Sequence, residues 1–183
     1  CADIGYLGLN HDGEQLCGDH VEVVSPDDGS TIVVLADGLG SGVKANILST
    51  LTAKIISTML AAGLDLEDAV GTVAATLPVC SERGIAYSTF TVIRIVNNER
   101  AELIQYDNPK VVMLRDGHNF DYPTTVLDIG GKRLHRTDIQ LNRDDVFIAF
   151  SDGVEHAGVG MTLNFGWKRE EIIDYMEIFW QTG

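Results

Sequence analysis

The sequence predicts an α+β fold, in which strands cluster as hairpins and helices follow one another in blocks. Short apolar runs are separated by tight-turn residues such as Pro26 to Gly29 and Asn97-Asn98, which favours antiparallel hairpins. Two segments with helical spacing of apolar residues stand side by side without a strand between them, unlike a parallel βαβ array. We therefore expect layers of antiparallel sheet and helix.

Six apolar runs are predicted to form strands. The longest, Ile85 to Val96, is rich in the β-branched and aromatic side chains that strands favour. Asp116-Gly117 supplies a further turn between two of these runs. The predicted strands span residues 21–25, 31–36, 85–96, 101–106, 110–115 and 146–151.

Three helices are predicted from apolar residues that recur at helical spacing. The first extends from an N-cap at Ser41 to a stop at Gly63. The second begins at Asp65 and is ended by Pro78, and the third spans residues 168–180. The sequence shows no internal repeat and no low-complexity linker.

Length and composition indicate a single domain over residues 1–183, because 183 residues of which 45% are hydrophobic can bury a substantial core. A formal net charge of -14 argues against nucleic acid or an anionic membrane surface as a partner. The three cysteines are widely spaced and form no CxxC pair, so we expect a reducing, cytoplasmic setting. Apolar runs stay well below the roughly 18 residues that span a bilayer, so no membrane contact is expected from this segment.

Two of the predicted strands end in the same way. "VVLADG" and "FIAFSDG" each place a carboxylate, Asp37 or Asp152, just past a rigid strand. The glycines that follow, Gly38 and Gly153, let backbone come close to whatever the carboxylate binds. Asp19 in "LCGDHVEVV" is a third candidate, although there the strand follows the acid.

Clustered carboxylates and backbone carbonyls are the ligands of hard divalent cations such as Mg²⁺ and Mn²⁺. Two such ions about 4 Å apart can clamp a phosphoryl group and ionise a water. The competing interpretation is an ordinary turn at each Asp-Gly, a common role for this dipeptide. The repeated pattern predicts a metal site and leaves ordinary turns as the alternative.

Three better-known motifs are excluded by single positions. The glycines at 38, 40 and 42 resemble a dinucleotide-binding turn, but the third glycine of that motif would have to stand at Val43. A phosphate-binding P-loop ending at Gly131-Lys132 would need a glycine at Val126. The stretch "HDGEQ" lacks the spaced oxygen ligands of a calcium-binding EF-hand loop.

Taken together, the sequence resembles the metal-dependent protein phosphatases, the protein phosphatase 2C superfamily. Within it, the chain is similar to the bacterial branch typified by the stage II sporulation E phosphatase. Six stretches carry the resemblance in the family's order over nearly the whole chain: "CGDHVEVV", "VLADGLGSGVKAN", "AYSTFTVIRI", "NPKVVMLRDG", "DDVFIAFSDGVEHAG" and "GWKREEIIDYM". Each stretch alone is weak, and all six in register make the resemblance specific.

The resemblance implies an αββα sandwich of two antiparallel sheets flanked by helices, and hydrolysis of phosphoserine or phosphothreonine on a protein. It implies that Asp37 bridges two Mn²⁺ or Mg²⁺ ions and that the Gly38 carbonyl contacts one of them. It further implies that Asp152 holds the second ion and that Asp19 binds the first, directly or through water. Asp37 and Asp152 are thus the expected catalytic residues. The expected partner is a phosphorylated protein in bacterial signalling, such as an anti-sigma-factor antagonist.

The sequence departs from the family at its end. In the family, a strand led by an Asp-Asp pair follows the last helix, and one of these acids completes the second ion's ligands. This sequence stops at Gly183, just past the predicted helix, so we expect a sandwich truncated before its final strand and a weakly held second ion. The phosphate-gripping arginine of eukaryotic relatives has no clear counterpart, and Lys44, His20 and Arg83 stay open as candidates.

Two alternatives to an active phosphatase follow from these observations. One is a catalytically inactive phosphatase-like domain that binds a phosphoprotein or a regulatory partner, which the missing acid favours. The other is a purely structural module in which each Asp-Gly is an ordinary turn. Affinity for Mn²⁺ separates the structural module from the other two.

Overall fold

The computed structural model of the chain describes residues 2–8, 18–38, 42–76, 88–155 and 168–182. Within these ranges it contains nine strands and four helices. In chain order they are β1 (Asp19–Val24), β2 (Ser30–Asp37), α1 (Gly42–Ala61), α2 (Leu66–Thr76), β3 (Thr89–Val96), β4 (Arg100–Tyr106), β5 (Val112–Arg115), β6 (His118–Asn119), β7 (Thr125–Ile129), β8 (Lys132–Gln140), β9 (Val146–Ile148), α3 (Asp152–Glu155) and α4 (Arg169–Thr182).

The strands form two antiparallel sheets. The larger sheet has the order β1-β2-β3-β4-β8-β7, and the smaller one has the order β6-β5-β9. The predicted hairpins β1–β2 and β3–β4 are present. Asn97 and Asn98 begin the three-residue connection of the second hairpin with φ angles of 54° and 56°, the left-handed conformation of the two central residues of a type I′ turn, and the Glu99 amide closes this turn on the Val96 carbonyl.

Helices α1 and α2 cover the outer face of the larger sheet. Ile32 and Val34 of β2 lie in one buried cluster with Ile56 of α1 and Val70 of α2. All four side chains are at most 1% exposed, so this layer excludes water. Burial of this apolar surface is the main force that holds the helix pair on the sheet.

The two sheets pack face to face, and α4 covers the outer face of the smaller one. Between the sheets, Ile93 and Leu103 of the larger sheet contact Met113 of the smaller sheet. On the far side, Leu114 of β5 packs with Ile172 of α4. The layers therefore follow the order helices, sheet, sheet, helix, and the expected αββα sandwich of two antiparallel sheets is confirmed.

Strand β2 shows how sequence alternation divides these cores. Ile32, Val34 and Ala36 pack on the helix side, whereas Val33 packs between the sheets. Because successive side chains of a strand point to opposite faces, Asp37 lies on the same face as Val33. Asp37 therefore lies at the end of the layer between the two sheets.

The predicted elements differ from the structure mainly at their ends. The strand predicted over 146–151 stops at Ile148, because the chain turns before Asp152 to begin α3. Strands β6, β7 and β8 and helix α3 were not predicted. No helix in the described parts of the chain is long and apolar enough to cross a membrane. Several predicted features lie outside the described residues: the Ser41 cap, the Pro78 stop, residues 85–87 of the longest predicted strand, Arg83 and the three cysteines.

Candidate metal centre

Asp19 and Asp37 meet at one end of the larger sheet. Asp19 is the first residue of β1, Asp37 is the last residue of β2, and the two are directly paired in the antiparallel register. Directly paired residues share a face with Cβ atoms about 4.5–5.5 Å apart. The Gly38 amide donates a hydrogen bond of 3.1 Å to the Gly18 carbonyl, so the ladder extends one step beyond the acids and fixes both strand ends.

Asp152 reaches the same place from the smaller sheet. The chain leaves β9 at Ile148 and passes through Ser151 before Asp152 begins α3. Ser151 is only 7% exposed, and its hydroxyl donates a hydrogen bond of 2.6 Å to Oδ2 of Asp19. The structure therefore brings together the three acids that the sequence singled out.

The electrostatics of Asp37 show how close these acids are. Burial raises the pKa of Asp37, and the neighbouring charges of Asp19 and Asp152 raise it further. Hydrogen bonds to both acids also favour the protonated form of Asp37. Together these effects raise the pKa from 3.8 to about 7. No lysine, arginine or histidine of the described residues is among the groups that shift this pKa. In the described parts of the chain, no cationic side chain therefore offsets the negative charge around Asp37.

The donor set fits a hard divalent cation in its chemistry. Carboxylate oxygens that crowd together without an offsetting cation are what Mg²⁺ and Mn²⁺ bind. In the described parts of the chain, however, no three His, Cys, Asp or Glu side chains already form a ready-made metal-binding group.

Gly38 fits the site for a steric reason. A Cβ atom at this position would lie 1.9 Å from the carbonyl oxygen of Ala45, which belongs to the backbone of α1. Any side chain at Gly38 would thus push the helix away from the strand end. The glycine lets α1 approach the end of β2 at backbone contact. The predicted approach of the Gly38 backbone to a bound ion stays a prediction.

A second group of polar residues lies beside the acids and was missed by the sequence reasoning. Thr89, the register partner of Asp37 on β3, donates a 2.7 Å hydrogen bond to Oδ1 of Asn108. Asn108 in turn donates to the Thr91 hydroxyl at 3.2 Å. The two threonines could have been identified from the sequence, because they stand at alternate positions of β3 together with Ile93, on the face that packs between the sheets. Asn108 lies in the loop after β4, where no sequence pattern indicates its position.

The candidate phosphate-binding cations are less well placed. His20 points away from Asp19, because its Nε2 lies 2.7 Å from Oε1 of Glu22 and its Nδ1 lies 3.4 Å from the Thr50 hydroxyl on α1. Lys44 is exposed in the first turn of α1. The geometry therefore argues against His20 in this role and does not select Lys44.

Comparison with solved structures shows what the fold is similar to. The phosphatase domain of SpoIIE from Bacillus subtilis, solved with a fragment of its regulatory domain, aligns with a TM-score of 0.70 at 19% identity over 94% of this chain and 55% of that chain. The RsbU and RsbW domains of a Mycobacterium tuberculosis protein align with a TM-score of 0.64 at 18% identity over 80% of this chain and 42% of that chain. RsbX in complex with magnesium aligns with a TM-score of 0.62 at 23% identity over 94% of this chain and 85% of that chain.

The chain thus spans about half the length of the first two structures. Among curated proteins, none matches it by sequence. The family model for stage II sporulation protein E (SpoIIE) matches residues 27–177, which is most of the chain and includes β2, β9 and the first part of α4. On this match, and with the sandwich and the convergent acids described above, the chain belongs to the SpoIIE family of PP2C-like phosphatase domains.

Proposed function

We propose that this domain is a Mn²⁺- or Mg²⁺-dependent phosphatase that hydrolyses phosphoserine or phosphothreonine on a protein. The observation that carries the proposal is Asp37, a carboxylate 6% exposed that lies among Asp19 and Asp152 without an offsetting cationic side chain in the described parts of the chain. A buried carboxylate beside two further acids is costly unless a cation compensates it. RsbX, a structural neighbour solved with magnesium, supports this choice of ion.

Four residues would hold the two ions. Asp37, between the other two acids, would contact both ions, Asp19 and the Gly38 carbonyl would hold the first, and Asp152 would hold the second. Divalent ions bound there would lower the pKa of a water molecule and stabilise charge on the phosphoryl oxygens. The hydrogen-bonded group of Thr89 and Asn108 would form the adjacent wall of the site.

We also propose a phosphorylated protein in bacterial signalling as the substrate, of the anti-sigma-factor-antagonist class that the resemblance implies. Similarity to the RsbU and RsbW domains and to a bacterial stressosome protein supports a regulatory role of this kind. An inactive domain that binds such a phosphoprotein is the second candidate. It is favoured by the lack of a ready-made metal-binding group among the described residues.

The test is a phosphatase assay on a phosphoserine protein, with Mn²⁺ and with EDTA. We expect Asp37→Ala and Asp152→Ala each to lose at least about 100-fold in Mn²⁺-dependent activity, since even changes to outer-shell partners of a metal cost 10–100-fold. Asp128→Ala is the matched control: it removes an exposed acid from β7, at the opposite edge of the larger sheet from β1. Undiminished activity of either site variant would contradict the assignment, and binding of the phosphoprotein without hydrolysis would favour the inactive domain.

A further inference from the structure

Ser151 links the two sheets at the candidate metal centre. It follows β9, an edge strand of the smaller sheet, and its hydroxyl donates to Asp19 at the start of β1, an edge strand of the larger sheet. The two residues are 132 positions apart in sequence. This contact therefore depends on the way the sandwich closes.

The contact involves one of the two carboxylate oxygens of Asp19. A serine hydroxyl has a single hydrogen to donate, and it is directed here to Oδ2 at 2.6 Å. This distance lies in the range of the stronger hydrogen bonds between a hydroxyl and a carboxylate. The contact fixes the orientation of the carboxylate and uses Oδ2, whereas Oδ1 does not take part in it.

The same serine also places Asp152. Ser151 is the preceding residue in the chain, and its carbonyl accepts a hydrogen bond of 3.2 Å from the Val154 amide in the first turn of α3. The carbonyl of the residue before a helix commonly accepts the first hydrogen bond of that helix. Because Ser151 is buried and bonded at both its hydroxyl and its carbonyl, the segment that carries Asp152 is docked against β1.

We propose that Ser151 is a positioning residue of the metal centre. Its hydroxyl turns one oxygen of Asp19 toward a divalent cation and holds the Asp152 segment at the distance at which both acids can serve neighbouring ions. The inference rests on the proposed function, since it needs a cation at these acids. Outer-shell partners that orient metal-binding carboxylates typically contribute 10–100-fold to metal affinity.

The proposal differs from a purely structural role in what it predicts for metal affinity. A structural hydrogen bond would change the free energy of unfolding and leave the affinity of the folded protein for Mn²⁺ unchanged. Ser57 offers a matched control, because it is 1% exposed and donates to the Lys54 carbonyl at 3.3 Å within α1. Ser57→Ala therefore removes a buried serine hydroxyl that contacts no acid.

The experiment is isothermal titration of MnCl₂ into the chelator-treated 183-residue chain at constant ionic strength, with circular dichroism as the check on folding. We expect Ser151→Ala to raise the dissociation constant of Mn²⁺ by about 10–100-fold. Ser151→Thr keeps the hydroxyl and is expected to stay within about threefold of the wild type, as is Ser57→Ala.

The outcomes of the titration distinguish the positioning role of Ser151 from the proposed function. If the wild type binds Mn²⁺ and Ser151→Ala binds it equally well, the positioning role is overturned and the proposed function stands. If Ser57→Ala weakens binding as much as Ser151→Ala, or if Ser151→Ala fails to fold, the serine acts on stability and the positioning role is likewise overturned. If the wild type binds no Mn²⁺, the proposed function is overturned, and this inference with it.

Discussion

At the scale of single residues, Gly38 determines how closely a helix can approach the candidate site. The Ala45 carbonyl oxygen and carbon lie 1.9 Å and 2.6 Å from the place a Cβ would take. Both atoms are backbone, so no side-chain rotation can relieve the clash. The start of α1 is consequently held against the end of β2 at the point where Asp37 lies.

Gly38→Ala should therefore lower the free energy of unfolding by about 1–3 kcal/mol or more, the usual cost of overpacking a filled site. Gly71→Ala is the control, because Gly71 is an exposed residue inside α2 whose Cβ would meet nothing within 4 Å. That change should raise the free energy of unfolding by about 0.5–1 kcal/mol, since alanine favours helix more than glycine does. Urea denaturation followed by circular dichroism measures both, and similar effects of the two substitutions would contradict the steric account.

The single residues of the site were predictable to different degrees. Asp37 and Asp152 could be identified because each follows an apolar strand and precedes a glycine, a pattern visible within seven letters of sequence. Ser151 and Asn108 could not, because their roles depend on partners far away in the chain, 132 positions in the case of Ser151. Local sequence carries no record of such contacts.

At the scale of elements, an ion pair fixes the segment that leads into the site. Arg115 at the end of β5 donates from Nε and Nη2 to the two carboxylate oxygens of Asp145, at 2.9 Å and 2.7 Å. The Asp145 side chain is 2% exposed and also accepts a 2.7 Å hydrogen bond from the Asn142 amide. Because Asp145 immediately precedes β9, the pair anchors the strand that continues to Ser151 and Asp152.

The titration of Asp145 follows from these contacts. Burial by itself would raise its pKa, but the hydrogen bonds from Arg115 and the Asn142 amide, with the charge of Arg115, bring the pKa below the ordinary 3.8. The unfolded chain therefore binds this proton more readily than the folded chain. The stability that the pair contributes is present above about pH 4 and is lost as the pH falls through the lower pKa of the folded state.

Asp145→Asn should accordingly lower the free energy of unfolding by about 2–3 kcal/mol near neutral pH, because Arg115 loses its charged partner. The difference from the wild type should shrink as the pH falls below about 4. Asp144→Asn is the matched control, because the Asp144 side chain is 78% exposed and its Oδ2 lies 3.7 Å from Nε of the still more exposed Arg143. The effect of this substitution should stay within about 0.5 kcal/mol. Denaturant titrations across pH measure this, and a pH-independent loss for Asp145→Asn would contradict the ion-pair account.

Elements were predicted where apolar runs are continuous and missed where they are not. Strand β2 contains the unbroken apolar run Ile32 to Ala36, and β3 and β4 are mainly apolar. Strand β8, "KRLHRTDIQ", buries only Leu134, Thr137 and Ile139, of which Leu134 packs on the helix side and Ile139 between the sheets, and its charged residues conceal this pattern. Gly130 and Gly131 form the β7–β8 turn with φ angles of 59° and 78°. This glycine pair was the sequence feature from which the hairpin could have been predicted.

At the scale of the whole molecule, the site exists because two sheets end at the same place. The larger sheet supplies Asp19 and Asp37, and the smaller sheet supplies Ser151 and Asp152. Toward the middle of the sandwich the layer between the sheets is apolar, with Ile93, Leu103 and Met113 among its members. The layer thus changes from a water-excluding core to a cluster of acids at its end.

The α+β class could be predicted from hairpin turns and helical periodicity, because both are local properties of the chain. The stacking of the two sheets was expected only from the resemblance to a known family, since the pairing of faces is set by contacts between distant segments.

The central claim is that Asp19, Asp37 and Asp152 hold divalent cations together, and a crystal structure of the chain with Mn²⁺ tests it most directly. At an X-ray energy where manganese scatters anomalously, we expect an anomalous peak within about 2.5 Å of an Asp37 carboxylate oxygen, with Asp19 or Asp152 in contact with the same ion or its neighbour. Manganese found only at other residues under saturating Mn²⁺, with these three carboxylates directed into solvent, would contradict the account.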